Sequence, residues 1–146
     1  MKKQVLLVTL VGAALVTSTA HARDDRLKFK IQDALNSHAA QGKIDSQIKL
    51  FWGGQKFPTP LQTFGTYTAN KKTNAFNKSD QEACEINFTS AVISLQERAR
   101  SEGGNAVVNI HSYYKKEDIS SETEYECGAG TFVSGVALRG TVVKLP

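Results

Sequence analysis

Residues 79–114 read Ser79-DQEACEINFTSAVISLQERARSEGGNAVVNIHSY-Tyr114, and the rest of the chain is organised around them. Ser79-Asp80-Gln81-Glu82 is a capping box, in which the serine hydroxyl can accept the third helical N–H and the glutamate can reach back to the cap. Asp80 and Glu82 also set negative charge at the positive end of the helix dipole. Cys84, Phe88, Ala91, Val92, Leu95 and Ala99 then recur with a 3.6-residue period, while Glu85, Gln96, Arg98 and Arg100 fall largely outside the stripe. Gly103-Gly104 supplies the left-handed residue that ends a helix at low cost. From Asn105 to Tyr114 the period changes to two, which predicts a strand. Ala106, Val108 and Ile110, with Tyr114 further along, are expected to face the core, and Val107, Asn109, His111 and Tyr113 to face away. A helix joined to a strand by two glycines should fold back onto it.

Working outward, Leu27, Phe29 and Ile31 alternate as a short strand. Asp33–Gln41 suits a short helix stopped by Gly42, and Ile48–Trp52 reads as a strand ended by Gly53-Gly54. Pro58 and Pro60 make residues 55–61 a loop or edge segment, and Leu61–Tyr67 is a further candidate strand. Residues 70–78 are polar and basic around Phe76, and read as a solvated loop with Phe76 stapled to the helix or as a basic patch touching a partner. Residues 115–123 are expected to form an exposed hairpin loop. Glu124–Ala129 alternates with Tyr125 and Cys127 on one face, and a last strand runs from about Gly135 to Leu145 with Val136, Leu138 and Val142 alternating. The expected class is α+β: one long helix packed on a small, mostly antiparallel sheet, with one disulfide.

The N-terminus reads as an export signal. Met1-Lys2-Lys3 is a basic n-region, Val5–Val16 is apolar apart from Thr9, and Ala20-His21-Ala22 is a small-x-small cleavage site. Residues 1–22 are therefore expected to be removed after Ala22, leaving 23–146 as one soluble domain in the periplasm. No cysteine follows the cleavage site, so no lipid anchor is expected. Loss of Lys2 and Lys3 lowers Lys+Arg from 18 to 16 against 14 Asp+Glu, so the net charge falls from +4 to +2. That balance gives no electrostatic reason to expect a nucleic acid partner.

Two cysteines in an exported chain pair by default. Cys84 and Cys127 both lie on predicted core faces, and a redox or metal-binding role lacks the C-x-x-C spacing such chemistry uses. His38 and His111 are far apart without a second ligand nearby, so no metal site is predicted. Gly128, Gly130, Gly135 and Gly140 are not followed by the G-K-[ST] ending of a phosphate loop, and close backbone packing explains them better. No nucleophile elbow or Ser/His/Asp arrangement appears, so no catalytic residue and no cofactor is assigned.

The run from Glu97 to Tyr114, with Gly103-Gly-Asn-Ala-Val-Val108 as its specific core, resembles a helix-then-G-[GA]-N-A-V-V signature of small bacterial proteins. One relative of that kind is the Rcs-pathway outer-membrane stress-sensing lipoprotein. Another is the YbjQ-like family, sometimes called heavy-metal-binding. The resemblance covers about residues 79–145 and extends to exported proteobacterial proteins of this length, some labelled "excinuclease ATPase subunit". It implies a helix packed on a small antiparallel sheet. The lipoprotein carries a lipid and two disulfides, whereas this chain offers no lipid site and one cysteine pair, and it contains neither a Walker motif nor a zinc-type cysteine set.

Three functions follow as expectations. The first is a non-enzymatic periplasmic protein that binds a periplasmic or envelope protein, or acts in envelope homeostasis and stress sensing. Its candidate interaction surface is Asn109, His111 and Tyr113, a polar and aromatic row of the kind enriched at interfaces. The second is a small-ligand binder or enzyme with a site near His111, Tyr113, Arg139 and the glycines. The third is a metal-binding periplasmic protein.

Overall fold

The structure is a computed structural model that describes residues 23–146. The expected signal segment, 1–22, lies outside the described residues. Elements run β1 (Asp25–Lys30), α1 (Ile31–Leu35), β2 (Lys49–Trp52), β3 (Gln62–Asn74), α2 (Asp80–Glu102), β4 (Ala106–Ser112), a 3-10 turn (Tyr114–Lys116), β5 (Glu124–Ala129) and β6 (Val133–Lys144). The class is α+β, with one long helix on a six-stranded sheet. No helix among the described residues is long and apolar enough to cross a membrane.

β6 is the axis of the sheet. β3 pairs along one of its edges, from Gln62↔Lys144 to Asn74↔Val133. On the other edge its C-terminal half pairs with β4 and its start with β5. β1 extends the sheet beyond β5, and β2 extends it beyond β4, the one parallel pairing among the described residues.

α2 starts where its cap predicts, with the Glu82 N–H donating to Ser79 Oγ at 3.1 Å, although the Glu82 carboxylate does not accept the reciprocal bond from the Ser79 N–H. It stops at Gly103, whose φ of +85° is left-handed, and Gly104 N–H closes the end on Ala99 O at 2.8 Å. The predicted stripe is buried, and it meets Trp52, Val107, Ile110, Tyr125, Cys127, Val136, Leu138 and Val142 from the sheet. Phe88 sits between Trp52 and Tyr125, with ring centres 5.4 and 4.3 Å away. Cys84 and Cys127 are bonded inside this core, with Cα atoms 5.9 Å apart. Gln96, outside the apolar stripe, is buried as well. Its amide donates to Asp45 O and Ile48 O and accepts Asp45 N–H, all at 2.9 Å, and so fastens the loop before β2 to the helix.

Four expectations are corrected. Ala106, Val108 and Ile110 do not share a face. Asn109 takes φ +53° and the β4–β6 register shifts between Val108 and His111. An inserted residue of this kind reverses the alternation, so Val107 and Ile110 pack under α2. Ala106 and Val108 instead join Val143, Leu145, Phe51 and Phe57 in a small cluster on the opposite face. The N-terminal helix is α1, Ile31–Leu35, not 33–41, because Ile31 and Ala34 are the positions that reach the core and residues 36–43 run on as turns. Residues 70–74 are not loop but the last part of β3, held by β6. Phe76 does not staple α2; it is 56% exposed and stacks on Phe132.

Candidate functional site: the uncovered sheet face

α2 covers one face of the sheet. On the other face, β4, β6 and β3 carry a row of polar and aromatic side chains. The β4 bulge sets their phase: once Ile110 has turned inward, His111 and Tyr113 turn outward. Cross-strand register places His111 opposite Arg139, and Arg139 opposite Thr68. One step along, Thr66 and Thr141 share a hydroxyl–hydroxyl hydrogen bond of 2.9 Å. Thr66, Thr68 and Asn70 are exposed, and His111, Tyr113, Arg139 and Thr141 are half-buried.

Each main group is already positioned. The Arg139 guanidinium lies 4.8 Å from the centre of the Tyr113 ring, a cation–π contact that orients both. His111 Nδ1 is 2.8 Å from Asn109 O and Nε2 is 2.6 Å from Asp118 Oδ1. Both ring nitrogens therefore face oxygen acceptors, and a neutral imidazole donates to one of them at a time. Asn109 contributes the carbonyl and the bulge, with its side chain exposed.

The predicted row is thus brought together, with Arg139 beside it. Of the glycines, Gly128 and Gly135 fall further along the same face, under Tyr114, whereas Gly140 faces Val107 and Ile110 beneath α2 and Gly130 lies in the turn between β5 and β6. The ring and hydroxyl of Tyr114 occupy the space a Cβ on Gly128 would need. Sequence periodicity placed Tyr114 with the core-facing residues of the strand. In the structure it leaves the strand and caps a charged network. Its hydroxyl donates to Asp24 Oδ1 at 3.4 Å, the Lys115 ammonium bonds the same carboxylate, and Arg26 stands 5.5 Å over the ring. The hydrogen bond from Lys115 holds the Asp24 carboxyl below its ordinary range, and burial pushes the Tyr114 hydroxyl up. Arg26 pairs with Glu117 at 2.5 Å and lies 3.5 Å from Glu126, whose side chain is buried although its alternation predicts a solvent-facing position. No local pattern announces this network, because Arg26, Tyr114 and Glu126 come from three separate stretches of chain.

A cavity of about 720 Å³ lies elsewhere, between α2 and the turns at 38–43, lined among others by His38, Lys43, Glu82, Glu85, Ile86 and Ile93. Thr89 also lines it, and the Thr89 hydroxyl is buried without a hydrogen-bond partner. Among the described residues no three His, Cys, Asp or Glu side chains are grouped to hold a metal ion. No family model matches the chain, and neither the curated proteins nor the solved structures searched include a match.

Proposed function

We propose that this protein is an exported, soluble, non-enzymatic component of the bacterial envelope that binds a protein partner through the uncovered face of its sheet. The observation that carries the reading is the His111–Arg139–Tyr113 row, three half-buried groups held in place on a face that α2 leaves open. Pre-positioned tyrosine and arginine are the side chains that most often anchor interfaces, because they bring large contact area and directional polarity at little cost in conformational entropy. Export rests on the apolar N-terminal segment with its Ala20-His21-Ala22 site and on a cysteine pair joined in the core. The resemblance of Gly103–Val108 to the Rcs stress-sensing lipoprotein fits a role in envelope homeostasis or stress sensing.

The test is a pair of variants, His111→Ala and Tyr113→Ala. Both should keep the wild-type melting temperature and lose capture of the periplasmic or envelope partner. If both unfold the domain, the row is structural and the reading falls. A second reading, a small-ligand binder, is favoured by the 720 Å³ cavity, where Glu82 and Glu85 face a space also lined by His38 and Lys43. Under that reading Glu85→Gln, not Tyr113→Ala, would remove ligand-induced thermal stabilisation.

A further inference from the structure

The end of the molecule where β3 finishes and β6 begins carries an apolar surface that the fold does not use. Two tight turns stand side by side there. One runs from Ala75 to Lys78, closed by Lys78 N–H on Ala75 O at 3.2 Å; the other runs from Gly130 to Val133, closed by Gly130 N–H on Val133 O at 3.0 Å. The Ala75 N–H donates to Phe132 O at 2.8 Å and ties one turn to the other. Asn74 Oδ1 accepts the Phe76 N–H at 2.8 Å and fixes the first turn again. Each tip presents a phenylalanine. Phe76 is 56% exposed and Phe132 65%, their rings stack with centres 6.3 Å apart, and Val133 beside them is 54% exposed.

Large apolar side chains left more than half exposed on two linked turn tips lie outside the core, and a contiguous exposed cluster of this kind marks a binding surface. Its surroundings are basic. Lys71, Lys72 and Lys78 lie in the adjoining sequence, and none of them pairs with an acidic group among the described residues. Of the acidic groups at this end, Asp25 and Asp80 are engaged by Arg23 and Asp24 by Lys115, and Glu82 is exposed in the first turn of α2. Protruding aromatics beside unneutralised lysines match an anionic lipid surface. The rings enter the boundary between headgroups and acyl chains, and the ammonium groups stay among the phosphates.

We infer that the paired turns at 75–78 and 130–133 dock this protein on an anionic phospholipid bilayer. The contact is reversible and peripheral, with Phe76 and Phe132 inserted and Lys72 and Lys78 on headgroup phosphates. This surface is separate from the His111–Tyr113 row, so docking and partner binding can fail independently.

The experiment is co-sedimentation of the intact, disulfide-bonded protein with vesicles of phosphatidylglycerol and phosphatidylethanolamine, or of phosphatidylcholine alone. The protein should pellet with the anionic vesicles, less at high salt, and only weakly with phosphatidylcholine. Phe76→Ser/Phe132→Ser should lower the affinity roughly a hundredfold, as expected from withdrawing two aromatic side chains from an apolar phase. Lys72→Glu/Lys78→Glu should remove the preference for anionic vesicles. Phe132→Trp supplies a readout that does not depend on the serine variant folding: its emission should shift to the blue on binding and be quenched by brominated lipid, whereas the native Trp52 is buried and should not respond. Wild type left in the supernatant, a folded serine variant that pellets like wild type, equal binding to both vesicle types, or unquenched Phe132→Trp would each overturn the proposal. So would self-association through the patch without vesicle binding, which would assign the surface to a second copy.

Discussion

Asn109 has a left-handed backbone, φ +53°, in the middle of a strand. An L-residue other than asparagine or aspartate pays on the order of 1–2 kcal/mol for that conformation, and glycine pays nothing for it. Asn109→Gly should therefore leave stability within about 1 kcal/mol of wild type, and Asn109→Val should cost about 1–3 kcal/mol by urea denaturation. Equal losses in the two variants would show that the asparagine side chain, not its backbone, matters. The same residue marks where sequence reading stopped. His111 and Tyr113 were legible as an outward pair from the alternation of their strand, but the bulge that gives them that orientation was not read, although Asn109, the one residue of Val-Val-Asn-Ile that readily takes a left-handed backbone, was a signal for where the extra residue goes. Arg26, Tyr114, Glu117 and Glu126 were not legible as a group at all, because tertiary pairing of β1 with β5 brings them together.

α2 was readable almost to the residue, because a cap, a period and a glycine stop are local signals that agreed. β3 was readable only in its first half. Its residues from Asn70 to Asn74 are polar, and on an outer strand the hydrogen bonds come from β6, 59 residues further along the chain at closest, rather than from any local preference. The cysteine pairing was legible from the count and the two core faces, and the structure joins them across 43 residues. Closing a loop of that length is worth on the order of 4 kcal/mol in the chain-entropy model. Cys84→Ser should lower the unfolding free energy by about 2–5 kcal/mol. Thiol labelling of the native wild-type protein should find no reactive cysteine until it is unfolded and reduced. Ready labelling in the native state would contradict a structural bond.

At the scale of the whole molecule, the charged groups predict how stability follows pH. Three carboxyls are held below their ordinary values of 3.8 and 4.5: Asp24 by a hydrogen bond from Lys115, Asp45 by the Gln47 backbone N–H and then Arg100, and Glu117 by Arg26. Their folded values are depressed, so their contribution is complete above the unfolded values and is lost as pH falls through the folded ones. On the basic side, burial first, and then Glu85 and Asp33, raise the Tyr125 hydroxyl above its ordinary value of 10.0. The contribution of Tyr125 is present below that value and is lost as the pH climbs past it, where the unfolded chain ionises first. The melting temperature should accordingly be flat from about pH 5 to about pH 9 and fall on both sides. A decline between pH 7 and 5 by scanning calorimetry would point to a group outside this set.

The central claim is that the uncovered face meets a protein partner, and site-specific photo-crosslinking in the intact cell envelope tests it most directly. A photoreactive amino acid at Thr68, exposed on β3 across from Arg139, sits within the proposed contact, and one at Glu97, exposed on α2, sits on the opposite side of the domain. Irradiation should give a discrete protein adduct from position 68 and none from position 97, and Tyr113→Ala in the same chain should abolish it. No adduct from position 68, or an adduct there that survives Tyr113→Ala, would contradict the account.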